Sequence, residues 1–256
     1  LLGEDDRYGE REIPMEIFFP PGFGRVPLII SQHGSTQDGI RFAGGLGRTD
    51  EYSSRLIKRG TKAGFAVAVV DAFKGTGVSS NSKARFPRAE NYAYQLAAQM
   101  LGDPRIDSDN IFYTGFSFGA RSVLNSIRAN KIALRPQWRA IAAAEPGCNA
   151  FYKPVKVSFP ILILKGGDSH YPVKPCKIYQ RLLTRVGNRV SLKVFPDANH
   201  FFSKNGEVVD GRAFNGCSDN PVVILKQKKE KYELRFVDGN PTNIRTVIRK
   251  CFTNQS

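Results

Sequence analysis

The sequence is poor in the residues that hold metal ions. Its 256 residues include only three histidines and four cysteines, and no two cysteines form a close Cys-x-x-Cys pair. The histidines are also scattered along the chain. Protein metal sites need such ligands at short, regular spacing. We therefore expect no metal site and no cofactor.

Long apolar runs and acidic residues are also scarce. No apolar run approaches the roughly 20 residues that a helix needs to cross a bilayer, so we expect a soluble chain with no membrane span. The 38 basic residues outnumber the 23 acidic ones and leave a net charge of +15. Such a charge would favour acidic substrates, anionic surfaces or nucleic acid. No nucleic-acid-binding motif is present, and the densest basic run, 226–231, indicates a solvated hairpin, so we expect no nucleic-acid partner.

Four cysteines are present, and their number bears on the compartment. They are Cys148, Cys176, Cys217 and Cys251, and they allow three sets of disulfide pairings. The sequence spacing does not choose between these sets. Because the chain begins at Leu1, we expect that a segment upstream has been removed. With an even number of cysteines, this favours a secreted or periplasmic protein. A cytoplasmic enzyme with free buried thiols is the alternative.

The most informative stretch runs from Ile111 to Ala120. Residues with strand preference lead into Gly115-Phe-Ser-Phe-Gly119, and apolar residues at helical spacing follow. In such a strand, turn and helix, a Cβ at either glycine would collide with neighbouring backbone. The turn holds the Ser117 hydroxyl over the carboxyl edge of the sheet, where the helix also directs its N–H groups. We therefore predict that Ser117 is a nucleophile, with an ordinary tight turn as the alternative.

A second motif, His33-Gly34-Ser35-Thr36, follows an apolar strand predicted over 26–32. In a serine hydrolase this loop supplies one backbone N–H of the oxyanion hole, and the residue after the nucleophile supplies the other. We expect these donors to be Ser35 and Phe118. Thr36 is the second choice for the loop donor and a candidate substrate contact, whereas His33 is expected to be structural.

Strands and helices alternate along the chain, which predicts an α/β fold. Strands are expected over 13–19, 26–32, 65–70, 111–116, 140–144, 160–165 and 190–195, with helices over 50–62 and around 93–100. Too few residues separate the strands at 144 and 160 to hold a cap domain, so we expect an open site. A hairpin over 222–237 and a helix over 241–251 complete a single domain, 1–256.

Two further residues complete a candidate catalytic triad. Asp168 follows the strand over 160–165, and His200 lies on the loop after the strand over 190–195. The order Ser117, Asp168, His200 is the order of an α/β-hydrolase triad. His200 would act as base and then acid, while Asp168 would fix its tautomer. Glu145, which also ends a strand, and Asp197 are the alternative acids, and Glu145 is otherwise a candidate residue at the rim of the site.

These motifs resemble those of the dienelactone hydrolase-related branch of the α/β-hydrolase superfamily. The resemblance covers about residues 13–204 and rests on five motifs: the His33-Gly34 loop, Gly-Phe-Ser117-Phe-Gly, Pro146-Gly-Cys148, Gly-Gly-Asp168 with Cys176 eight residues on, and Ala-Asn-His200. It implies a mostly parallel central sheet with helices on both faces. The cysteine pattern of the branch also implies a Cys148–Cys176 disulfide, which would leave Cys217 with Cys251. Dienelactone hydrolase itself carries cysteine where this chain carries Ser117, so the resemblance does not carry over that substrate.

We therefore expect a serine hydrolase that cleaves small-molecule or polymeric carboxylic esters. A polyester- or carbohydrate-ester hydrolase is one alternative, because several aromatic side chains would form an apolar groove: Phe73, Phe86, Phe116, Phe118, Tyr171 and Phe201. A noncatalytic module that binds anionic polymers is the alternative from another class. The complete set of triad residues argues against that module.

Overall fold

The structure is a computed structural model and describes residues 1–22, 24–80, 84–128, 137–148, 150–169, 171–203, 222–228 and 231–237. The chain divides into two units, Leu1–Ala144 and Glu145–Ser256. The helix predicted over 241–251 lies outside the described residues, as do Cys217 and Cys251. That residues 1–256 form a single domain without a cap stays a prediction.

The described residues of the first unit form seven strands. They are β1 (Leu2–Asp5), β2 (Gly9–Glu12), β3 (Met15–Phe18), β4 (Val26–Gln32), β5 (Ala66–Val70), β6 (Ile106–Phe116) and β7 (Ala140–Ala144). Five of them lie in the order β7-β6-β4-β5-β3, in which only β3 runs antiparallel to its neighbour. The β1–β2 hairpin was not predicted, because its strands carry mostly charged residues and lack apolar alternation.

Three helices of the first unit pack on this sheet: α1 (Glu51–Lys62), α2 (Ala89–Met100) and α3 (Phe118–Asn125). Asp50 caps α1 by accepting a hydrogen bond from the Ser53 N–H. Apolar residues of α1 pack against Val67 and Val69 of β5. Ala66, Ala68 and Val70 alternate with these valines, point to the opposite face and are also buried, so both faces of this strand are covered.

The second unit contains a parallel strand pair, β9 (Ile161–Gly166) and β10 (Val190–Phe195), on which α4 (Val173–Arg185) packs. A three-stranded antiparallel sheet has the order β11-β12-β8 and consists of β8 (Ala150–Tyr152), β11 (Val222–Lys228) and β12 (Lys231–Val237). The predicted hairpin over 222–237 is therefore confirmed. Among the described residues, no helix is long and apolar enough to cross a membrane.

Candidate active site

Ser117 has a left-handed backbone at the junction between β6 and α3. Its φ is 52° and its ψ is −107°, a conformation that costs a non-glycine residue about 1–3 kcal/mol. The Ser117 N–H donates a hydrogen bond to the Ala144 carbonyl at 2.9 Å, and the Arg121 N–H donates to the Ser117 carbonyl at 3.0 Å. The residue predicted to be the nucleophile thus has the strained turn that a nucleophile elbow requires.

The glycines on either side of Ser117 allow α3 to approach β4 and β6 closely. A Cβ at Gly119 would lie 2.1 Å from the carbonyl oxygen of Gln32, and one at Gly115 would lie 2.6 Å from the backbone of Gly119. Both distances are shorter than atoms can approach without displacing backbone. The Gly-x-Ser-x-Gly spacing is therefore a packing requirement at this position.

The loop after β4 lies against the elbow and carries the predicted oxyanion donors. A Cβ at Gly34 would meet the Phe116 ring at 2.9 Å, so the two backbones are close. The Gly34 N–H donates to Asp50 Oδ2 at 2.5 Å and is occupied. The N–H groups of Ser35 and Phe118 make no hydrogen bond to any described residue, which leaves them able to receive an oxyanion.

His33 and Thr36 lie on the same loop in different environments. Thr36 is exposed, whereas the His33 ring is fully buried. The His33 Nε2 accepts a hydrogen bond from the Ala72 N–H at 3.1 Å, and Nδ1 lies 2.6 Å from the Gly34 carbonyl. Burial lowers the pKa of His33 and outweighs the opposing effect of Asp71. Both ring nitrogens thus hold the loop in place, in keeping with a structural role.

Aromatic rings surround the elbow in the first unit. The Phe118 ring packs against Phe73 at a centroid distance of 5.0 Å and against Phe86 at 5.1 Å. Phe116 stacks on Tyr52 at 5.9 Å. Three of the aromatics predicted to line a groove, Phe73, Phe86 and Phe118, therefore form one cluster beside Ser117.

In the second unit, the carboxylate that contacts His200 is Glu145 and not Asp168. The His200 Nδ1 lies 2.9 Å from Glu145 Oε2, and both side chains are buried. Asp168, the predicted triad acid, is exposed, and its carboxylate makes no hydrogen bond or ion pair to any described residue. The backbone at Glu145 accounts for this contact. Its φ of 60° and the hydrogen bond from its N–H to the Leu164 carbonyl fix the position from which the Glu145 side chain extends.

The Glu145 carboxylate is held by donors besides His200. Lys165 Nζ donates to its Oε2 at 2.6 Å, and the Ser169 hydroxyl donates to the same oxygen at 2.6 Å. The Gly166 N–H donates to Oε1. Lys165 has no solvent exposure, and its ammonium also donates to the Ser169 hydroxyl at 2.8 Å. His200 therefore faces a carboxylate that is fixed in position by a buried ammonium.

This arrangement shifts three pKa values. Burial lowers the pKa of His200, and this effect outweighs the opposing effect of the hydrogen bond that His200 donates to Glu145. The Lys165 charge lowers the pKa of His200 further. Burial raises the pKa of Glu145, but its bonds to His200, Lys165 and Gly166 together bring that pKa below its ordinary value. Burial lowers the pKa of Lys165 against the pull of Glu145. His200 is thus predominantly neutral at neutral pH, as a general base must be.

Several solved structures resemble this chain, although no protein-family model and no curated protein matches it. An esterase of Thermogutta terrifontis, phosphonylated by cyclosarin, aligns with a TM-score of 0.59 at 15% identity and covers 82% of this chain and 86% of its own. Its propionate-bound form has a TM-score of 0.56 at 15% identity, covering 75% and 81%. A Klebsiella pneumoniae protein assigned as a dienelactone hydrolase has a TM-score of 0.53 at 15% identity, covering 75% and 89%.

The protein has the α/β-hydrolase fold. The predicted fold class is thereby confirmed, and identities of 15% extend the likeness no further than the fold. Within this α/β-hydrolase fold, the disulfide implied by the sequence resemblance is also present, between Cys148 and Cys176. It ties the segment after Glu145 to α4.

Tyr171 and Phe201, which were both predicted to contact the substrate, lie beside the His200 ring. The Tyr171 ring meets it edge-on at a centroid distance of 5.3 Å, and the Phe201 ring does so at 5.2 Å. Both side chains are partly exposed, so they are able to contact a ligand as well. Among the described residues, no cluster of histidine, cysteine or carboxylate side chains is able to hold a metal ion.

Lys165 and Ser169, which both contact Glu145, were not predicted as site residues. Lys165 ends the apolar run Ile161-Leu-Ile-Leu and takes the buried side of β9 by strand alternation. A lysine on the buried side of a strand needs a carboxylate partner, and this is the signal by which the role of Lys165 beside Glu145 could have been found. Ser169 carried no comparable signal, because serine is common in turns.

Proposed function

We propose that the protein is a serine hydrolase of carboxylic esters, with Ser117 as nucleophile, His200 as general base and Glu145 as the acid of the triad. The strained backbone of Ser117 is the observation that carries the proposal, because a residue pays that conformational cost only where the position requires it. The hydrogen bond between His200 and Glu145, the fold and the order of the three residues in the chain support it further.

In the proposed reaction, Ser117 Oγ attacks the ester carbonyl carbon while its proton passes to His200 Nε2. The carbonyl oxygen becomes an oxyanion and accepts hydrogen bonds from the N–H groups of Phe118 and Ser35. Each such donor lowers the barrier by on the order of 3 kcal/mol. The intermediate then expels the alcohol, which takes the proton from His200. Water, deprotonated by His200, hydrolyses the acyl-enzyme and restores Ser117.

Glu145 would act by fixing His200. Because Nδ1–H donates to Glu145 Oε2, the lone pair of the imidazole lies on Nε2, the nitrogen that the reaction uses. The same carboxylate stabilises the imidazolium that forms when the Ser117 proton arrives. Asp168 has no part in this proposal.

The proposal also includes an apolar substrate group and a secreted or periplasmic location. The cluster of Phe73, Phe86 and Phe118 beside the nucleophile suits an apolar acyl or alcohol group, which keeps polyesters and esters of bulky alcohols among the substrates. The disulfide between Cys148 and Cys176 favours a secreted or periplasmic protein, because such bonds persist in oxidising compartments.

Hydrolysis of nitrophenyl esters from acetate to decanoate tests the proposal. We expect the wild type to release nitrophenol and the Ser117→Ala variant to lose activity by about 10³-fold or more. Ser108→Ala, at the opposite end of β6, is the matched control and should keep full activity. Equal activity of Ser117→Ala and wild type would contradict the proposed nucleophile. A wild type inactive on every ester would favour the noncatalytic alternative.

A further inference from the structure

A polar cavity of about 360 Å³ lies in the first unit, at the carboxyl end of β5. Its size falls near the lower end of the range for small-molecule sites. Its walls combine two glycine-containing loops, 41–48 and 71–78, with three cationic side chains, one carboxylate and one aromatic ring: Arg41, Arg48, Lys74, Asp71 and Phe73. No part of the reaction proposed above uses this cavity.

The three cations at the cavity have no hydrogen-bond or ion-pair partner among the described residues. Arg41, Arg48 and Lys74 are exposed, and their side chains make no hydrogen bond or ion pair to any described residue. Together with Asp71 they leave a net charge of +2 on the lining. Three like charges around one concave surface repel one another, and an anion between them would relieve that repulsion.

Asp71, the only carboxylate among the described lining residues, makes no ion pair with these cationic side chains. Its Oδ1 accepts hydrogen bonds from the Gln37 side chain at 2.7 Å and from the N–H groups of Phe73 and Lys74 at 3.0 Å. Its Oδ2 accepts one from the Arg48 N–H at 3.0 Å. Asp71 is 3% exposed. The carboxylate thus organises the backbone of both loops instead of pairing with the cationic side chains.

The cavity adjoins the nucleophile elbow through one side chain. The Phe73 ring lines the cavity and packs against the Phe118 ring at a centroid distance of 5.0 Å. Phe118 directly follows Ser117 in the chain. The Phe73 ring therefore connects the cavity wall to the residue next to Ser117.

We propose that this cavity binds the anionic group of an ester substrate, so that the preferred substrates carry a carboxylate remote from the scissile bond. This proposal rests on the proposed function for the hydrolysis of the ester, whereas the binding of the anion depends on the cavity alone. The high net charge of the chain is consistent with a negatively charged substrate, which it would attract from solution.

A matched pair of esters tests the substrate class. Monomethyl adipate and methyl hexanoate have acyl chains of equal length and differ in the terminal carboxylate. We expect the wild type to prefer the adipate ester in kcat/KM. The combined variant Arg41→Gln, Arg48→Gln, Lys74→Gln should reduce the ratio of the two kcat/KM values by about tenfold or more. An unchanged ratio would overturn the proposal.

A second variant separates the cavity from the overall charge. Lys58→Gln, Arg59→Gln, Lys62→Gln removes three exposed cations from α1, outside the cavity. It should leave the ratio as in the wild type. A loss of preference equal to that of the cavity variant would show that net charge alone attracts the substrate, and would overturn the proposal.

Direct binding distinguishes failure of the cavity from failure of the proposed function. Adipate should bind Ser117→Ala in calorimetry at low ionic strength, adipamide should not, and the three cavity substitutions should abolish adipate binding. This result would support the cavity even if the wild type hydrolysed neither ester. Absence of adipate binding would overturn the proposal, and binding of inorganic phosphate in place of adipate would overturn the assignment to carboxylates.

Discussion

Replacing Glu145 by glutamine, beside Asp168→Asn, decides which carboxylate serves His200. Glu145 Oε2 accepts hydrogen bonds from His200, Lys165 and Ser169, at 2.9, 2.6 and 2.6 Å. Glutamine keeps the shape of this side chain but removes its charge. The Asp168 carboxylate is exposed and makes no hydrogen bond or ion pair to a described residue, so asparagine there changes little.

The magnitudes follow from these contacts. Without the carboxylate, the His200 tautomer is no longer fixed and the imidazolium is not stabilised, so kcat should fall by about 10³- to 10⁴-fold. The Lys165 ammonium would also remain buried without a counter-charge, at a cost of about 3–5 kcal/mol in the free energy of unfolding. For a chain of this size, that loss lowers the melting temperature by roughly 6–20 °C. Asp168→Asn should change kcat by less than about threefold.

The assay is ester hydrolysis together with thermal unfolding. Because Glu145→Gln destabilises the protein, the double variant Glu145→Gln, Lys165→Met provides a control in which neither buried charge remains. It should recover most of the melting temperature without recovering kcat. A loss of activity of about 10³-fold in Asp168→Asn, with full activity in Glu145→Gln, would show that Asp168 and not Glu145 serves His200.

Three further predictions concern pH, the disulfide and the elbow. Because the pKa of His200 is lowered, kcat/KM should reach half its maximum below pH 6.5, and Lys165→Met should move that midpoint upward by removing the ammonium that disfavours imidazolium. A midpoint that moves downward would contradict the assigned contact. Reduction of the disulfide, whose cysteines are 28 residues apart, should lower the free energy of unfolding by about 3–4 kcal/mol in urea titrations. Gly119→Ala should abolish hydrolysis, whereas Gly102→Ala, with its nearest contact at 3.8 Å, should be neutral in activity and melting temperature.

Sequence patterns predicted the strands of the fold better than its shorter or more polar elements. β4 and β10 have the predicted bounds, because the apolar residues of each strand, largely continuous in β4 and alternating with polar ones in β10, are followed by turn residues. α4 was not predicted, although its apolar residues recur at helical spacing. Pro172 and Pro175 at its start read as loop residues, yet proline is compatible with the first turn of a helix, where backbone N–H groups have no intrahelical partner.

At the candidate site, the turn at Ser117 was predictable from the sequence, whereas the carboxylate that contacts His200 was not. A Gly-x-Ser-x-Gly motif indicates its own backbone conformation, because a Cβ at either glycine would collide with backbone atoms nearby. The choice between Glu145 and Asp168 depends instead on a left-handed residue after β7 and on a lysine buried in β9. Contacts between segments distant in the chain determine both features, so residue order alone favoured Asp168.

The rate at which a fluorophosphonate labels the protein tests the central claim most directly. We expect a single adduct, which peptide mass spectrometry locates on Ser117. The labelling rate should fall by about 10³-fold in His200→Ala, since the neutral imidazole must take the serine proton. An adduct on another residue, or equal labelling of His200→Ala and wild type, would contradict the central claim.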